Sequence, residues 1–130
     1  EAPVLIVTTY GAAEAHPEKA EALTEKGAEV LAVSLKHDLC NIHQLMDKLA
    51  ERRMQQVLVE GGPRVIGSFL EEKLVDEVCV YIAPTILGNT GGKDMTAGMA
   101  ELSESLRLTH VQIDRFEDDV RVRGLLHEVK

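Results

Sequence analysis

The chain has 130 residues, of which 45% are hydrophobic and 28% charged, so we expect residues 1–130 to form a single globular domain. Its 14 Lys and Arg stand against 22 Asp and Glu, and the resulting formal charge of -8 would repel a nucleic-acid backbone. With 2 Tyr, 2 Phe and no Trp, it also lacks the rings on which single-stranded bases stack. No apolar run approaches the roughly 20 residues that span a bilayer. Composition therefore argues against nucleic acid and membrane as partners.

The cysteine and histidine residues give no sign of a metal or disulfide framework. Cys40 and Cys79 lack C-x-x-C spacing, which favours a reduced, cytoplasmic protein. The histidines are scattered, so no metal site is predicted. The sequence opens on Glu1-Ala2-Pro3, without an initiator Met or a signal peptide, and we therefore expect a cut or processed chain that begins directly before a strand.

The first half of the sequence alternates short apolar runs with helical patterns. The apolar runs begin near Val4, Val30 and Val57 at similar intervals. Continuous runs of this kind are typical of strands that are covered on both faces, as in a parallel sheet. We therefore predict three successive parallel βα units.

Each predicted strand is followed by a helix with recognisable ends. Pro17 suits a first helical position and Gly27 a left-handed stop, which predicts a helix over 17–26. Asn41 can cap the second helix. The third helix begins near Pro63, directly after two glycines.

The pattern changes in the second half. In the segment Val78–Ile82, Val and Ile alternate with Cys79 and Tyr81, which predicts a fourth, well-buried strand. The segment Gly88–Met99 has no periodicity and predicts a long loop. Two final strands follow, with a phase change near Thr109-His110 that indicates a bulge and a turn at Glu117-Asp118-Asp119. The predicted sheet is parallel first and antiparallel last.

Polar residues follow each of the predicted parallel strands. In open α/β sheets, ligands bind at the carboxyl ends of such strands, where helix N-termini point their amides outward. We therefore expect a ligand site at this edge. Its candidate residues are Thr8, Thr9, Ser34, Glu60, Gly61 and Gly62, with Lys36 nearby.

The Gly61-Gly62 turn is the most informative unit of this edge. Glycines without Cβ atoms allow a diphosphate to approach the backbone closely, the helix that begins near Pro63 adds partial positive charge, and Arg64 supplies a full one. Glu60 would repel a diphosphate and is expected to contact hydroxyl or amino groups of a second ligand. The alternative is a tight strand-to-helix turn with a solvated glutamate and no ligand.

Three segments together carry a resemblance to a known family. Residues Gln56–Leu70, Leu74–Glu77 and Tyr81–Gly88 resemble the reductase domain of the bifunctional riboflavin-biosynthesis deaminase/reductase, a distant relative of dihydrofolate reductase. The resemblance implies an α/β fold with a dihydrofolate-reductase-like sheet, in which three parallel βα units precede antiparallel C-terminal strands. The family's domain also has an N-terminal part that this chain does not contain, so we expect a partial reductase domain.

The resemblance also implies ligands and site residues. In the wider family the Gly-Gly amides hold the NADPH diphosphate, often through a cis peptide, and the same is expected here. Threonine hydroxyls would contact the adenosine ribose and its 2′-phosphate, and the serine would border the adenine. The expected cofactor-binding residues are Thr8, Thr9, Ser34, Gly61, Gly62, Pro63, Arg64 and Val65, and the expected substrate-binding residue is Glu60.

The implied reaction is hydride transfer from NADPH to C1 of the ring-opened ribose of 5-amino-6-(5-phosphoribosylamino)uracil, a phosphorylated pyrimidine. No residue is identified as a proton donor. The resemblance further implies a homodimer and a fused or associated deaminase domain. Two alternatives stay open: a different dihydrofolate-reductase-like enzyme that reduces another pterin or pyrimidine, and a fragment that binds cofactor and dimerises without turnover.

Overall fold

The computed structural model describes residues 2–86 and 105–126 and shows a mixed α/β chain with small sheets. The chain divides into two compact units, Glu1–Val57 and Leu58–Lys130. That residues 1–130 form a single domain stays a prediction. Within the described ranges, no helix is both long and apolar enough to cross a membrane.

A parallel strand pair forms the centre of the first unit. Strand β1 (Val4–Thr9) pairs with β2 (Ala28–Val33) from Val4 opposite Ala28 to Thr9 opposite Val33. Parallel neighbours need a crossover connection, and helices α1 (Tyr10–Ala15) and α2 (Pro17–Glu25) provide it. The first two predicted strands are thus confirmed.

The ends of these elements follow local chemistry. Helix α2 begins at Pro17 as predicted and ends at Glu25, one residue before the predicted Lys26. Gly27, just beyond the helix, adopts a φ of 84°. Helix α1 was not predicted. In β2, Leu31 and Val33 are buried on one face, and Val33 is fully inaccessible.

A short hairpin and a third helix complete the first unit. Strands β3 (Leu35–Lys36) and β4 (Leu39–Cys40) are joined by His37 and Asp38, whose φ angles of 48° and 61° are those of a type I′ turn. Helix α3 (Ile42–Glu51) follows and is capped by Asn41, as predicted.

The predicted third strand, Val57–Glu60, is wrong in this structure. The segment is irregular, and the Leu58 side chain is 79% exposed. A short apolar run becomes a strand only when a neighbouring strand takes up its backbone hydrogen bonds, and no described strand pairs with it. Parallel pairing among the described residues is confined to β1 and β2.

The second unit contains one helix and an antiparallel sheet. Helix α4 (Pro63–Glu71) begins where predicted and buries Phe69. The sheet has the order β5-β7-β6 and confirms the predicted antiparallel pairing of the late strands. Its strands are β5 (Glu77–Ile82), β6 (Thr109–Phe116) and β7 (Asp119–Leu125).

The bulge in β6 was predicted from the sequence, whereas the exposure of β5 was not. The register shifts between Thr109 and Gln112, which confirms the predicted bulge. The predicted burial of β5 is wrong, because Tyr81 is 62% and Ile82 53% exposed. Among the described strands, β5 lies at the edge of the sheet and pairs with β7 alone. The predicted loop over 88–99 falls outside the described residues.

Candidate functional site

Thr8 and Thr9 lie at the carboxyl end of β1, opposite Ala32 and Val33 of β2. The Thr9 hydroxyl oxygen accepts a hydrogen bond from the amide N of Ala12 at 3.2 Å, so Thr9 is the N-cap of α1. Both threonines are half-buried. Thr9 therefore has a structural role at the same edge where a ligand role was predicted.

Ser34 directly follows β2 and is held by three hydrogen bonds. Its amide donates to Oε1 of Gln44, and its carbonyl oxygen accepts from the amide of Asn41 at 2.8 Å. Its hydroxyl oxygen accepts from Nδ2 of Asn41 at 3.1 Å. These bonds tie the end of β2 to the start of α3 across the short hairpin.

The predicted glycine turn forms the N-terminus of α4. Gly62 is the N-cap, with φ 63° and ψ 139°, and its carbonyl oxygen accepts the first helical bond, from Ile66 at 3.1 Å. Pro63 at the first helical position has no N–H to satisfy. No described residue accepts a hydrogen bond from the amides of Gly62, Arg64 or Val65. Among the described residues, these three amide donors thus have no acceptor, which is the arrangement that anions use at helix N-termini.

The expected cis peptide at Gly61-Gly62 is wrong for this structure, because no described peptide bond is cis. The turn is made by the left-handed backbone of Gly62 instead. A cis bond between non-proline residues costs about 2.5–4 kcal/mol, whereas a glycine adopts a positive φ almost without penalty.

The space around the two glycines fits a ligand that approaches the backbone. A Cβ atom built on Gly61 or Gly62 meets no atom within 4 Å. Internal packing therefore does not require a glycine at Gly61, while Gly62 is required by its φ of 63°. Open space, unpaired amides and a helix N-terminus are what a diphosphate needs.

Two charged side chains flank this turn. Glu60 and Arg64 are both exposed. The Arg64 carbonyl oxygen accepts a hydrogen bond from the Ser68 hydroxyl at 2.9 Å, within helix α4. One exposed glutamate thus precedes the two glycines in the chain, and one exposed arginine follows Pro63.

The structure groups the candidate residues in two places. Thr8, Thr9 and Ser34 share the carboxyl end of the parallel pair in the first unit. Residues 60–65 form one turn in the second unit. Within the described ranges, no three His, Cys, Asp or Glu side chains are placed to hold a metal ion.

Sequence reasoning missed the contact of Asn41 and Gln44 with Ser34. Asn41 was predicted as a helix cap, and that role is confirmed. Its second bond, to a serine seven residues earlier, depends on the hairpin that brings the two residues together. Gln44 carried no sequence signal for its bond to the Ser34 amide.

The chain is of the mixed α/β class: its first unit presents hydroxyls at the end of a parallel strand pair, and its second unit has a glycine turn at a helix N-terminus. The family model described as the RibD C-terminal domain matches residues 1–122. The chain therefore belongs to the RibD C-terminal domain family, which confirms the resemblance drawn from the sequence.

Individual relatives agree with this assignment. The chain is 34% identical over 120 residues to the riboflavin biosynthesis protein RibD of Aquifex aeolicus, covering 92% of this chain and 31% of that protein. It is 32% identical over 98 residues to 2,5-diamino-6-ribosylamino-4(3H)-pyrimidinone 5′-phosphate reductase of the same organism, covering 75% of this chain and 42% of that protein. The chain thus spans less than half the length of these relatives.

A solved structure supports the fold. A pyrimidine reductase-like protein from Corynebacterium diphtheriae superposes with a TM-score of 0.72 at 21% identity, over 95% of this chain and 50% of that one. At this identity the likeness concerns the fold alone, which is mixed α/β.

Proposed function

We propose that this chain provides the cofactor-binding part of an NADPH-dependent reductase of riboflavin biosynthesis. The proposed reaction reduces 5-amino-6-(5-phosphoribosylamino)uracil to its 5-phosphoribitylamino product. The observation that carries the proposal is the open Gly61-Gly62 turn, with its available amides, in a chain of the RibD C-terminal domain family. A dihydrofolate-reductase-like arrangement of the complete domain belongs to the same proposal.

The turn would hold the cofactor's diphosphate. The amides of Gly62, Arg64 and Val65 are hydrogen-bond donors without a described partner. The N-terminus of a helix adds roughly half a positive elementary charge. Because the whole chain carries a formal charge of -8, this local field and the Arg64 guanidinium must offset an unfavourable long-range field.

The β1–β2 end would bind the adenosine part. Thr8, Thr9 and Ser34 present hydroxyl groups there, and hydroxyls are suited to ribose and phosphate oxygens. Both Thr9 and Ser34 use their oxygens as acceptors inside the protein. Their hydroxyl hydrogens are thus left as donors for a ligand, beside one remaining lone pair on each oxygen.

Glu60 would bind the substrate. Its carboxylate is exposed and precedes the open amides by two residues, so it borders the diphosphate position without being required by the fold. A carboxylate accepts hydrogen bonds from sugar hydroxyls and amino groups, both of which the substrate carries. A glutamate at this place is expected to orient the sugar.

The chemistry needs little covalent help from the protein. NADPH, when bound, supplies the hydride that adds to C1 of the ring-opened ribose, and the former ring oxygen gains a proton. The chain's contribution is to bind and orient the two ligands so that their reacting carbons meet. No described side chain is assigned as the proton donor.

A second substrate is favoured by a specific observation. Relatives from Aquifex aeolicus and Methanothermobacter thermautotrophicus are named for 2,5-diamino-6-ribosylamino-4(3H)-pyrimidinone 5′-phosphate. This compound carries an amino group where the uracil carries an oxo group, and its ribose undergoes the same reduction. The second candidate function is therefore the same reaction before deamination.

Partners and location follow from the same proposal. A second copy of the chain is one proposed partner, supported by exposed apolar residues on the sheet of the second unit, where Ile82 is 53% and Ile113 70% exposed. A deaminase domain is the other, supported by the matches to RibD proteins. Both cysteines are free thiols, which suits a reducing cytoplasm.

The test is to mix NADPH and each of the two pyrimidine phosphates with the chain joined to the N-terminal part of the family's reductase domain, and to identify the product by mass. Formation of the ribitylamino compound from one of them, with equal loss of NADPH, is expected, whereas the chain alone is expected to bind NADPH. Oxidation of NADPH by a pterin but by neither pyrimidine would favour a different reductase. Cofactor binding without any turnover would identify a cofactor-binding fragment.

A further inference from the structure

The Asn41 side chain has two polar atoms with different partners. Its Oδ1 accepts from the amide of Gln44 at 3.2 Å, and its Nδ2 donates to the hydroxyl oxygen of Ser34 at 3.1 Å. A backbone N–H can only donate, so the atom that faces Gln44 must be the oxygen. The orientation of the Asn41 amide is therefore dictated by chemistry.

This orientation decides which way the Ser34 hydroxyl can act. The NH₂ group of Asn41 only donates, so Ser34 Oγ must be the acceptor and its hydrogen must point elsewhere. No described residue accepts that hydrogen. The amide and carbonyl of Ser34 are already bonded to Gln44 and Asn41. Among the described residues, the Ser34 hydroxyl hydrogen is thus left as a donor for a ligand, beside one remaining lone pair on Oγ.

The hydroxyl of Thr9, on the neighbouring strand, also accepts a hydrogen bond within the protein. Its hydroxyl oxygen accepts from Ala12, which leaves its hydrogen as a donor. Thr9 lies opposite Val33, directly before Ser34. A ligand group at this edge therefore meets hydroxyl donors, and an anionic acceptor gains most from them, because a hydrogen bond to a charged oxygen is about twice as strong as a neutral one. A phosphate monoester has three such oxygens, whereas a ribose hydroxyl forms only the weaker neutral bond.

We propose that Asn41 is a positioning residue that fixes the Ser34 hydroxyl as a donor to a phosphate-monoester oxygen of the cofactor. Asn41 thereby contributes to the preference for NADPH, which has a 2′-phosphate, over NADH, which has a hydroxyl there. The inference rests on the proposed function, since it assigns the β1–β2 end to the adenosine part of that cofactor.

The substitution Asn41→Asp isolates this role. Aspartate caps helices as well as asparagine does, so the start of α3 is retained. The carboxylate has no hydrogen to donate and accepts from the Ser34 hydroxyl instead, which withdraws that hydrogen from the ligand. Gln44→Glu is the matched control, because it adds the same charge beside Ser34 yet keeps an acceptor for the Ser34 amide.

The experiment is calorimetric titration of the full chain with NADPH and with NADH. The variants are Asn41→Asp, Gln44→Glu, Ser34→Ala and the double variant with Asn41→Asp and Ser34→Ala. We expect Asn41→Asp to weaken NADPH about tenfold more than Gln44→Glu does, the range of one hydrogen bond to a charged group. The affinity for NADH should change less than about threefold. When Ser34 is replaced by alanine, the loss of NADPH affinity caused by Asn41→Asp should shrink to the loss caused by Gln44→Glu.

Equal effects of Asn41→Asp and Gln44→Glu would overturn the inference, because charge alone would then account for the loss. An undiminished Asn41→Asp loss in the Ser34→Ala background would overturn it too. If Asn41→Asp does not fold, Asn41→Ser provides the comparison, since serine keeps the cap but has no amide hydrogen to orient Ser34. A preference for NADPH unchanged in Asn41→Ser would likewise contradict the inference.

These failures differ from a failure of the proposed function. A wild-type chain that binds neither dinucleotide would overturn the function and the inference together. A wild-type chain that binds NADPH well, with variants that leave its preference over NADH intact, would overturn the inference alone.

Discussion

A Cβ atom built on Gly124 would lie 2.9 Å from the Cβ atom of Leu108, closer than such atoms pack in proteins. It would also lie 3.2 Å from the carbonyl oxygen of Thr109. Neither atom belongs to the far end of a flexible side chain, so neither can swing aside. Gly124 is buried in the central strand β7, where the chain entering β6 passes over it.

Gly124→Ala should therefore destabilise the protein. Relieving the contact requires the entry to β6 to shift, and such overpacking typically costs about 1–3 kcal/mol. The measurement is urea unfolding followed by circular dichroism. Gly11→Ala in α1 is the control, because its added Cβ meets nothing within 4 Å and alanine favours a helix. Equal stability of the two variants would contradict the close approach.

Arg121 is expected to stabilise the sheet of the second unit more than an ordinary surface arginine. Its Nη2 lies 2.8 Å from Oδ2 of Asp114, and its guanidinium carbon lies 5.0 Å from the centre of the Phe116 ring. Arg121→Lys should lower the melting temperature, because an ammonium group cannot donate from Nε and Nη2 together. Arg115→Lys, which affects one bond to the Glu117 carbonyl oxygen, should have the smaller effect.

The pH dependence of the Arg121 contribution has a definite sign. The hydrogen bond to Asp114, followed by that to Tyr81, raises the pKa of Arg121 above its ordinary value. A raised pKa means that the stabilisation is fully present below the unfolded-state pKa and is lost only as pH rises through the folded-state value. The difference in unfolding free energy between the wild-type protein and Arg121→Lys should therefore not change through arginine titration from about pH 6 to 9. A difference that disappears within this range, on the basic side, would contradict the assignment.

Two glycine substitutions test the backbone cradle for the diphosphate. Gly61→Ala adds a Cβ in open space and should leave unfolding unchanged, while its methyl group obstructs a ligand at the amides. Gly62→Val adds a branched side chain at a φ of 63°, so it should cost about 1–2 kcal/mol in strain and abolish NADPH binding. Both effects can be measured by calorimetry and thermal unfolding. Normal NADPH affinity in both variants would rule out the cradle.

Glu60→Gln should weaken the binding of the pyrimidine phosphate more than the binding of NADPH. The amide keeps the size of the carboxylate but loses its charge and one acceptor, so we expect the Kd for the pyrimidine phosphate to rise about tenfold, within the range of a charged hydrogen bond. The Kd for NADPH should change less than about threefold. Glu25→Gln, at the end of α2, serves as the comparison. Equal weakening of both ligands by Glu60→Gln would remove the glutamate from the substrate site.

Local chemistry made several elements predictable from the sequence. Pro17 and Gly27 place the ends of α2 to within one residue, because proline suits a first helical turn and glycine the left-handed stop. The cap at Asn41 and the start of α4 at Pro63 follow for the same reason. These signals depend on neighbours in the chain and need no tertiary contact.

Other elements depend on contacts that the sequence does not display. The apolar run at Val57–Glu60 looks like a strand, yet no described strand pairs with it. Helix α1 has no buried residue, and its sequence signals were Thr9 as N-cap and three alanines among six residues. At the candidate site, the glycine turn could be located from sequence, whereas the bonds of Ser34 with Asn41 and Gln44 could not, since a hairpin has to form first.

The most direct test of the central claim is a calorimetric titration of the full chain with NADPH and, separately, with NADH. We expect saturable one-to-one binding of NADPH, with an affinity at least about tenfold higher than that for NADH, as one additional charge-assisted contact would give. No binding of NADPH by the folded chain would contradict the assignment of the Gly61-Gly62 turn and the β1–β2 end to this cofactor.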